Sequence, residues 1–384
     1  MTKAIFGARI FDGKTWYDEA ALLICDGTIT DIVPEADIPA HATPISAEAD
    51  ILVPGFIDLQ VNGGGGVMFN DAPSIEGIRT ICTAHARFGT TALLPTLITD
   101  TRETTMAAIV AGRNAISQRL PGFLGLHLEG PHLSVARKGA HDPALIRPME
   151  EADLQQLLDC RSVFPAMMVT VAPENVLEGQ VARMAEAGLI VSLGHTETSF
   201  ETAERYANAG ARTVTHLFNA MSPLGHREPG MVGAALDNGC LHAGIIADGI
   251  HVHPTAMRVA LRSKTGPGHI FVVTDAMSPI GTDLTSFTLN GREILRRNKR
   301  LTLRDGTLAG ADIDMISSFR FLHHTVGLSL EEAIQMVSGH PAEAAQVADK
   351  KGALKPGFDA DFVLLGDDLT IRSTWIDGTC VYRA

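Results

Sequence analysis

The sequence predicts an α/β protein, a (β/α)8 TIM barrel carrying a small β-sandwich built from both chain termini. Three observations predict it: eight strand-length apolar runs, helix-like stretches between most of them, and turn-broken β-rich segments at the two ends. The runs are GFIDLQVN (55–62), TALLPTLIT (91–99), GFLGLHLEG (122–130), AMMVTVAPE (166–174), GLIVSLGHT (188–196), RTVTHLFNA (212–220), HAGIIADGI (242–250) and HIFVVTDAM (269–277). They are rich in Val, Ile, Leu or Phe and nearly continuous rather than alternating, the pattern of strands covered on both faces of a parallel sheet. Stretches 74–89, 102–120, 176–188 and 199–210 mix apolar and polar positions at helical spacing, and several stop on a glycine, a common helix C-terminal signal. Eight such units fit a barrel, which typically takes ~250 residues and places its chemistry at the C-terminal strand ends.

Residues 1–53 read as short strands broken by turns, and residues 350–384 have the same texture, with Asp-Gly and Pro-Gly turn signals. Neither end can easily bury a core alone. Together they are expected to form one discontinuous small domain, leaving 54–349 as the barrel. At 384 residues, 45% hydrophobic and 20% charged, the chain has an ordinary globular composition. A net charge of −13 argues against nucleic acid or an anionic membrane as main partner, while a small anionic substrate stays compatible with it. Five scattered cysteines without a C-x-x-C pair point to neither a disulfide framework nor a thiolate metal site. No apolar signal core opens the chain and no run reaches the ~18 apolar residues of a membrane span, so a cytoplasmic location is the default expectation.

Polar residues sit where these strands end. HLEGPH (127–132) puts Glu129 at the end of the third, GHT (194–196) puts His195 at the end of the fifth, and HLF (216–218) puts His216 at the end of the sixth. Alone, each has a bland reading, a buried glutamate paired with an arginine or a structural histidine. Two imidazoles on adjacent strands and a carboxylate two strands away suit Zn²⁺ or a similar divalent ion with one position left for water. Asp275, in TDAM (274–277), could be a plain helix N-cap, yet on the same rim it stands where a general base would reach that water. His141, from RKGAH, and His251, from DGIHVH, could polarise a carbonyl or hold hydroxyls; His253, His269, His323 and His324 read as surface residues. Arg227, on the irregular loop HLFNAMSPLGHREPG, can bind an anion in bidentate fashion, although a solvated arginine is the common case. The glycines of VNGGGGV lack the Lys-Ser/Thr of a P-loop and are a weak phosphate signal.

PGFIDLQVNG, HLEGPH followed by KGAH, GHT, THLFNAM, HREPG, IIADGIHV, VTDAM and GTLAG, in that order and spacing, resemble the N-acetylglucosamine-6-phosphate deacetylase family of the amidohydrolase superfamily, and KKGALKPGFDADFVLL resembles the superfamily's C-terminal segment. The resemblance runs from about residue 51 to the end. It implies a metal-dependent hydrolase that splits the acetamide of N-acetyl-D-glucosamine 6-phosphate into D-glucosamine 6-phosphate and acetate. Glu129, His195 and His216 would ligate the metal, and Asp275 would be general base and then acid. Ala140, His141, Asn219, Ala220, Asp248, His251 and the Thr307-Leu308-Ala309 turn would surround the sugar. Arg227 would meet the 6-phosphate from a neighbouring subunit of a homodimer.

Two departures from the wider superfamily bear on the metal. Where many relatives have an H-x-H pair at the end of strand one, this chain has Gln60-Val61-Asn62, two neutral amides. The lysine others use to bridge two metals is missing, since no lysine occurs between Lys138 and Lys264. One divalent ion per subunit is therefore expected, Zn²⁺ first and Fe²⁺, Mn²⁺ or Co²⁺ next, with Gln60 contacting it through water and any second site weak. His132, where the family often has an aromatic residue, has no assigned role. The rival readings are an N-acetylgalactosamine-6-phosphate deacetylase and, from another class, a metal-independent phosphosugar isomerase or aldolase barrel.

Overall fold

The computed structural model describes residues 1–289 and 291–384. Its centre is an eight-stranded parallel sheet in sequential order: β1 (Phe56–Val61), β2 (Thr90–Ile98), β3 (Gly125–Glu129), β4 (Ala166–Val171), β5 (Ile190–Leu193), β6 (Thr213–Val214), β7 (His242–Ile246) and β8 (Ile270–Val273). The sheet closes on itself just past the ends of β8 and β1. There Asp275 N–H donates to Gln60 O at 2.9 Å, Asn62 N–H donates to Ala276 O at 2.8 Å, and Val61 bridges Ala276 in parallel. Close pairing demands a glycine at the start of β3, because a Cβ on Gly125 would lie 1.7 Å from the Ala166 carbonyl oxygen.

Both faces of the strands are covered, which is why the runs are continuous. Along β4, Met167, Val169 and Val171 face the helices, while Ala166 and Met168 join Ile57, Leu94, Ile190 and Phe271 inside the barrel. Ala342, Ala344 and Ala345, in and just after the helix Gly339–Ala344, pack into that same inner cluster. Above the apolar layer the barrel interior turns polar. His127 Nε2 meets Thr170 Oγ1 at 2.7 Å, and Thr170 and Thr215 hydroxyls pair at 2.7 Å. Helices at Ile75–Ala86, Arg102–Ser117, Glu178–Glu186 and Phe200–Asn208 occupy the four stretches read as helical. Ser74, Thr101 and Ser199 cap the first, second and fourth by accepting a backbone N–H, and Gly188, at φ +86°, ends the third.

The chain ends meet in one six-stranded sheet. Phe362–Leu365 pairs antiparallel with Ile51–Pro54 from the N-terminal side. A second sheet of four strands, all from the first 46 residues, shares its core: Ile5, Leu22 and Ile24 pack with Leu52, Leu364, Phe362 and Trp375. Asp26-Gly27 and Asp377-Gly378 form hairpin turns with positive φ at both positions, 49° and 84°, and 48° and 64°, the geometry that favours Asp-Gly between twisted strands.

One unit had no counterpart in the sequence reading. An antiparallel sheet, Ser286–Leu289, Arg292–Arg297, Arg300–Thr302 and Leu308–Ala311, follows β8. Leu308 and Ala309 accordingly belong to a strand rather than to a turn, with Thr307 just before it. The turn at Asn298-Lys299 has positive φ at both residues, and Leu289, Ile294 and Leu301 are buried beneath a surface crowded with arginines. Among the described residues no helix is long and apolar enough to cross a membrane.

Candidate active site

Four polar residues stand at or just past the C-terminal ends of their strands: Glu129 ends β3, and His195, His216 and Asp275 each follow their strand by two residues. The last three have left-handed backbones, φ +48°, +30° and +53°. Such angles are unfavourable for side chains with a Cβ and persist where surrounding bonds fix them, as they do at many functional sites. Here Ser134 N–H donates to His195 O, Asn219 N–H to His216 O, and Ala311 N–H to Asp275 O.

The three outermost donor atoms converge. Glu129 Oε1 lies 3.2 Å from His195 Nε2 and 3.2 Å from His216 Nε2, and the two imidazole nitrogens are 3.0 Å apart. His195 Nδ1 faces the carbonyl oxygen of Arg137 at 2.8 Å. A carbonyl only accepts, so Nδ1 carries a proton and Nε2 is the ring nitrogen turned to the carboxylate oxygen and left for a cation. Burial pushes Glu129 up, but its bonds to His195 and His216 hold it well below the usual carboxylate range, so it offers an anion; burial lowers His216, yet Glu129 raises it. Two imidazole nitrogens and one carboxylate oxygen, pairwise within 3.2 Å, fit a divalent ion of the zinc type.

His141 joins this group, since one ligand atom each from Glu129, His141 and His195 lie within 4.8 Å of one another. Its hydrogen bonding differs. Thr99 Oγ1 at 2.7 Å and Thr99 N–H at 3.3 Å both face His141 Nδ1; the backbone N–H can only donate, so Nδ1 accepts and the proton is on Nε2, 3.9 Å from Glu129 Oε2. Burial, and then His195, push His141 down to about 3, so the ring is neutral and presents an N–H, whereas His195, its Nδ1–H spent on Arg137 O, turns Nε2 to the site.

Asp275 faces the same space. Burial and then the Glu129 charge push it up to about 6. Gln60 Nε2 donates both to Glu129 Oε1 at 3.0 Å and to Asp275 Oδ1 at 3.2 Å, so its amide hydrogens tie the two carboxylates together.

A cavity of ≈ 180 Å³ opens over these groups, walled by Asn62, Ile98, Ala140, His141, Asn219, Ala220, His251, Met277, Leu289 and Leu308 besides the four named first. Of the residues expected around a ligand, Ala140, His141, Asn219, Ala220, His251 and Leu308 thus share one wall system. Asp248, Thr307, Ala309, Gln60 and Arg227 do not line it, each for a visible reason. Asp248 spends Oδ2 on His251 Nδ1 at 2.6 Å and Oδ1 on the N–H groups of Ile250 and His251, and it borders a larger cleft of ≈ 540 Å³ instead. Ala309 is packed in the inserted sheet's core, and Thr307 is exposed. Gln60 is consumed between the carboxylates, and Arg227 is exposed with no ion pair among the described residues. His132 turns away, its Nδ1 meeting Arg147 O at 3.0 Å. His253 is exposed and caps the helix Pro254–Ser263, whereas His269 is half-buried and stacks on His340 at 4.1 Å, so it is not a free surface histidine.

Asp58 was missed, being one acid inside an apolar run. It is fully buried on β1, where Thr274 Oγ1 donates to Oδ2 at 2.5 Å and Thr274 N–H to Oδ1 at 3.2 Å. Burial pushes it up to about 7. A carboxyl raised in the fold is favoured protonated, so its stabilising contribution is whole below the unfolded value near 4 and is lost as pH rises through about 7. Asp58→Asn does not ionise. Unfolding measured from pH 5 to 8 should show wild type losing roughly 2–3 kcal/mol relative to the variant; parallel curves would contradict the buried, raised carboxyl.

Three comparisons place these features among known proteins. The model of the amidohydrolase family matches residues 51–381. The chain is 42% identical to an N-acetylgalactosamine-6-phosphate deacetylase of Shewanella sp. (strain ANA-3), over 98% of this chain and 95% of that one. It is 34% identical to an N-acetylglucosamine-6-phosphate deacetylase of Haemophilus influenzae, over 98% and 99%. A crystal structure of N-acetylglucosamine-6-phosphate deacetylase from Pasteurella multocida superposes with a TM-score of 0.95 at 34% identity, covering all of both chains.

Proposed function

This chain belongs to the amidohydrolase family, and from that premise we propose that it hydrolyses the acetamide of N-acetyl-D-glucosamine 6-phosphate to D-glucosamine 6-phosphate and acetate. The observation that carries the reading is the meeting of Glu129, His195 and His216 within 3.2 Å, beside Asp275. Those three would hold one divalent ion, Zn²⁺ in our reading. When bound, such an ion polarises the acyl oxygen and makes water a better nucleophile. Asp275 takes a proton from the attacking water and returns it to the leaving nitrogen as the C–N bond breaks. The neutral His141 donates its Nε2–H to the developing oxyanion. The alanines, Asn219, His251 and Leu308 shape the sugar pocket, with Asp248 holding His251. A single ion suits the site because the Gln60 and Asn62 amide hydrogens are engaged with carboxylates.

Arg227 is exposed and absent from its own cavity, which supports the reading that it serves the 6-phosphate of a partner in a homodimer. Arg227→Ala should then raise KM for the phosphorylated sugar by about 10-fold or more while leaving kcat nearly unchanged, as expected for uniform binding lost; an unchanged KM removes it from the phosphate site. We read residues 1–53 with 350–384 as one small β domain and 54–349 as the catalytic barrel, in a cytoplasmic enzyme of amino-sugar metabolism.

The galacto epimer is the second reading, favoured by the 42% identity to a relative named for it. Acetate release from the two epimeric acetamido-sugar 6-phosphates, measured with metal content on one sample, decides between them. A higher kcat/KM for the gluco substrate supports the proposal, a higher value for the galacto substrate replaces it with the second reading, and release from neither overturns both.

A further inference from the structure

Two amides at the end of β1 turn their NH2 groups on a single oxygen of Asp275. Asn62 Nδ2 donates to Asp275 Oδ1 at 2.6 Å and to the Asp275 backbone oxygen at 3.3 Å, and Gln60 Nε2 reaches the same Oδ1 at 3.2 Å. The orientation of the Asn62 amide is forced by its surroundings: turned over, it would set a carbonyl oxygen against a carboxylate and a backbone carbonyl, all acceptors. In the orientation it takes, Asn62 Oδ1 is buried without a partner, on a residue 2% exposed that lines the cavity. An asparagine kept for packing alone would not strand a buried acceptor, since leaving one unpaired is unfavourable. Asp275 Oδ2, by contrast, accepts no hydrogen bond among the described residues.

We propose that Asn62 is a positioning residue that clamps Oδ1 of Asp275 and thereby makes Oδ2 the oxygen that takes up and returns the proton. The proposal rests on the deacetylase reading of the site. Without Asn62 only Gln60 holds Oδ1, at 3.2 Å, and the carboxylate gains freedom to turn about its side-chain bonds. Misplacing a reacting group by about an ångström can cost on the order of 10²-fold in rate.

Asn62→Ala and Asn62→Asp test this, each alone and combined with Asp275→Asn, with metal content, thermal midpoint, kcat and KM measured on every protein. The aspartate is isosteric but replaces the donor with a second acceptor. Both single variants are expected to lower kcat by roughly 10- to 10²-fold with KM within about 3-fold. Neither should lower kcat further once Asp275 is asparagine, because the two residues act as a unit. An Asn62→Asp enzyme with wild-type kcat overturns the proposal. So does a kcat loss from Asn62→Ala that is as large in the Asp275→Asn background as in wild type, or a loss that tracks metal content or thermal midpoint. Wild type that releases no acetate from either epimer overturns the deacetylase reading and the proposal with it.

Discussion

His195→Ala should lower kcat/KM for acetate release by on the order of 10³-fold and leave the purified protein with less than stoichiometric metal. His195 is the ligand whose Nδ1–H is held by Arg137 O, so its ring is oriented with Nε2 facing Glu129 and the site. Removing it strips one of three donors and opens the pocket to water. Losing several kcal/mol of charge stabilisation corresponds to about three powers of ten in rate. His141→Ala should behave differently, because its Nε2 carries a hydrogen. Its loss is expected to lower kcat by roughly 10²-fold with metal content intact. The pair separates a ligand from a hydrogen-bond donor. Metal loss on the His141 variant and retention on the His195 variant would reverse the assignment.

Asp275→Asn should cut kcat by about 10²- to 10⁴-fold, the span attributed to positioned general bases, while KM moves little. The asparagine keeps the shape and loses only the ability to take a proton. Burial and the Glu129 charge push the Asp275 carboxyl up to about 6 without an ion, and a cation beside Glu129 pulls it down. A base must be ionised, so kcat/KM of the loaded enzyme should fall with decreasing pH through a value at or below about 6. Near-normal kcat in the variant would remove Asp275 from proton transfer.

How much of this was legible follows from what each residue type can signal. The barrel strands were, because burial on both faces leaves apolar runs that surface loops do not imitate. β6 shows the limit, since only Thr213–Val214 of the run 212–220 is strand and the rest swings into a loop where His216, Phe218 and Ala220 all have positive φ. Nothing in His195, His216 or Asp275 as residue types announces a left-handed backbone. The inserted sheet was hidden by charge, for Arg292–Arg297 sets Ile294 and Leu295 among three arginines and a glutamate, with only Ile294 buried. Glu129, His195, His216 and Asp275 were legible as strand-end polar residues; the tautomers that divide His195 from His141 were not, because a backbone carbonyl and a backbone N–H set them. Asp58 is a single acid in the apolar run GFIDLQVN, and only the closure of β8 onto β1 brings Thr274 against it.

The Glu129–His195–His216 metal site is tested most directly by anomalous diffraction from crystals of the purified protein, collected at the absorption edge of the metal found by elemental analysis. One strong peak per chain is expected, about 2.0–2.2 Å from Glu129 Oε1, His195 Nε2 and His216 Nε2. A peak held elsewhere, or a metal-free protein that releases acetate at full rate, would contradict it.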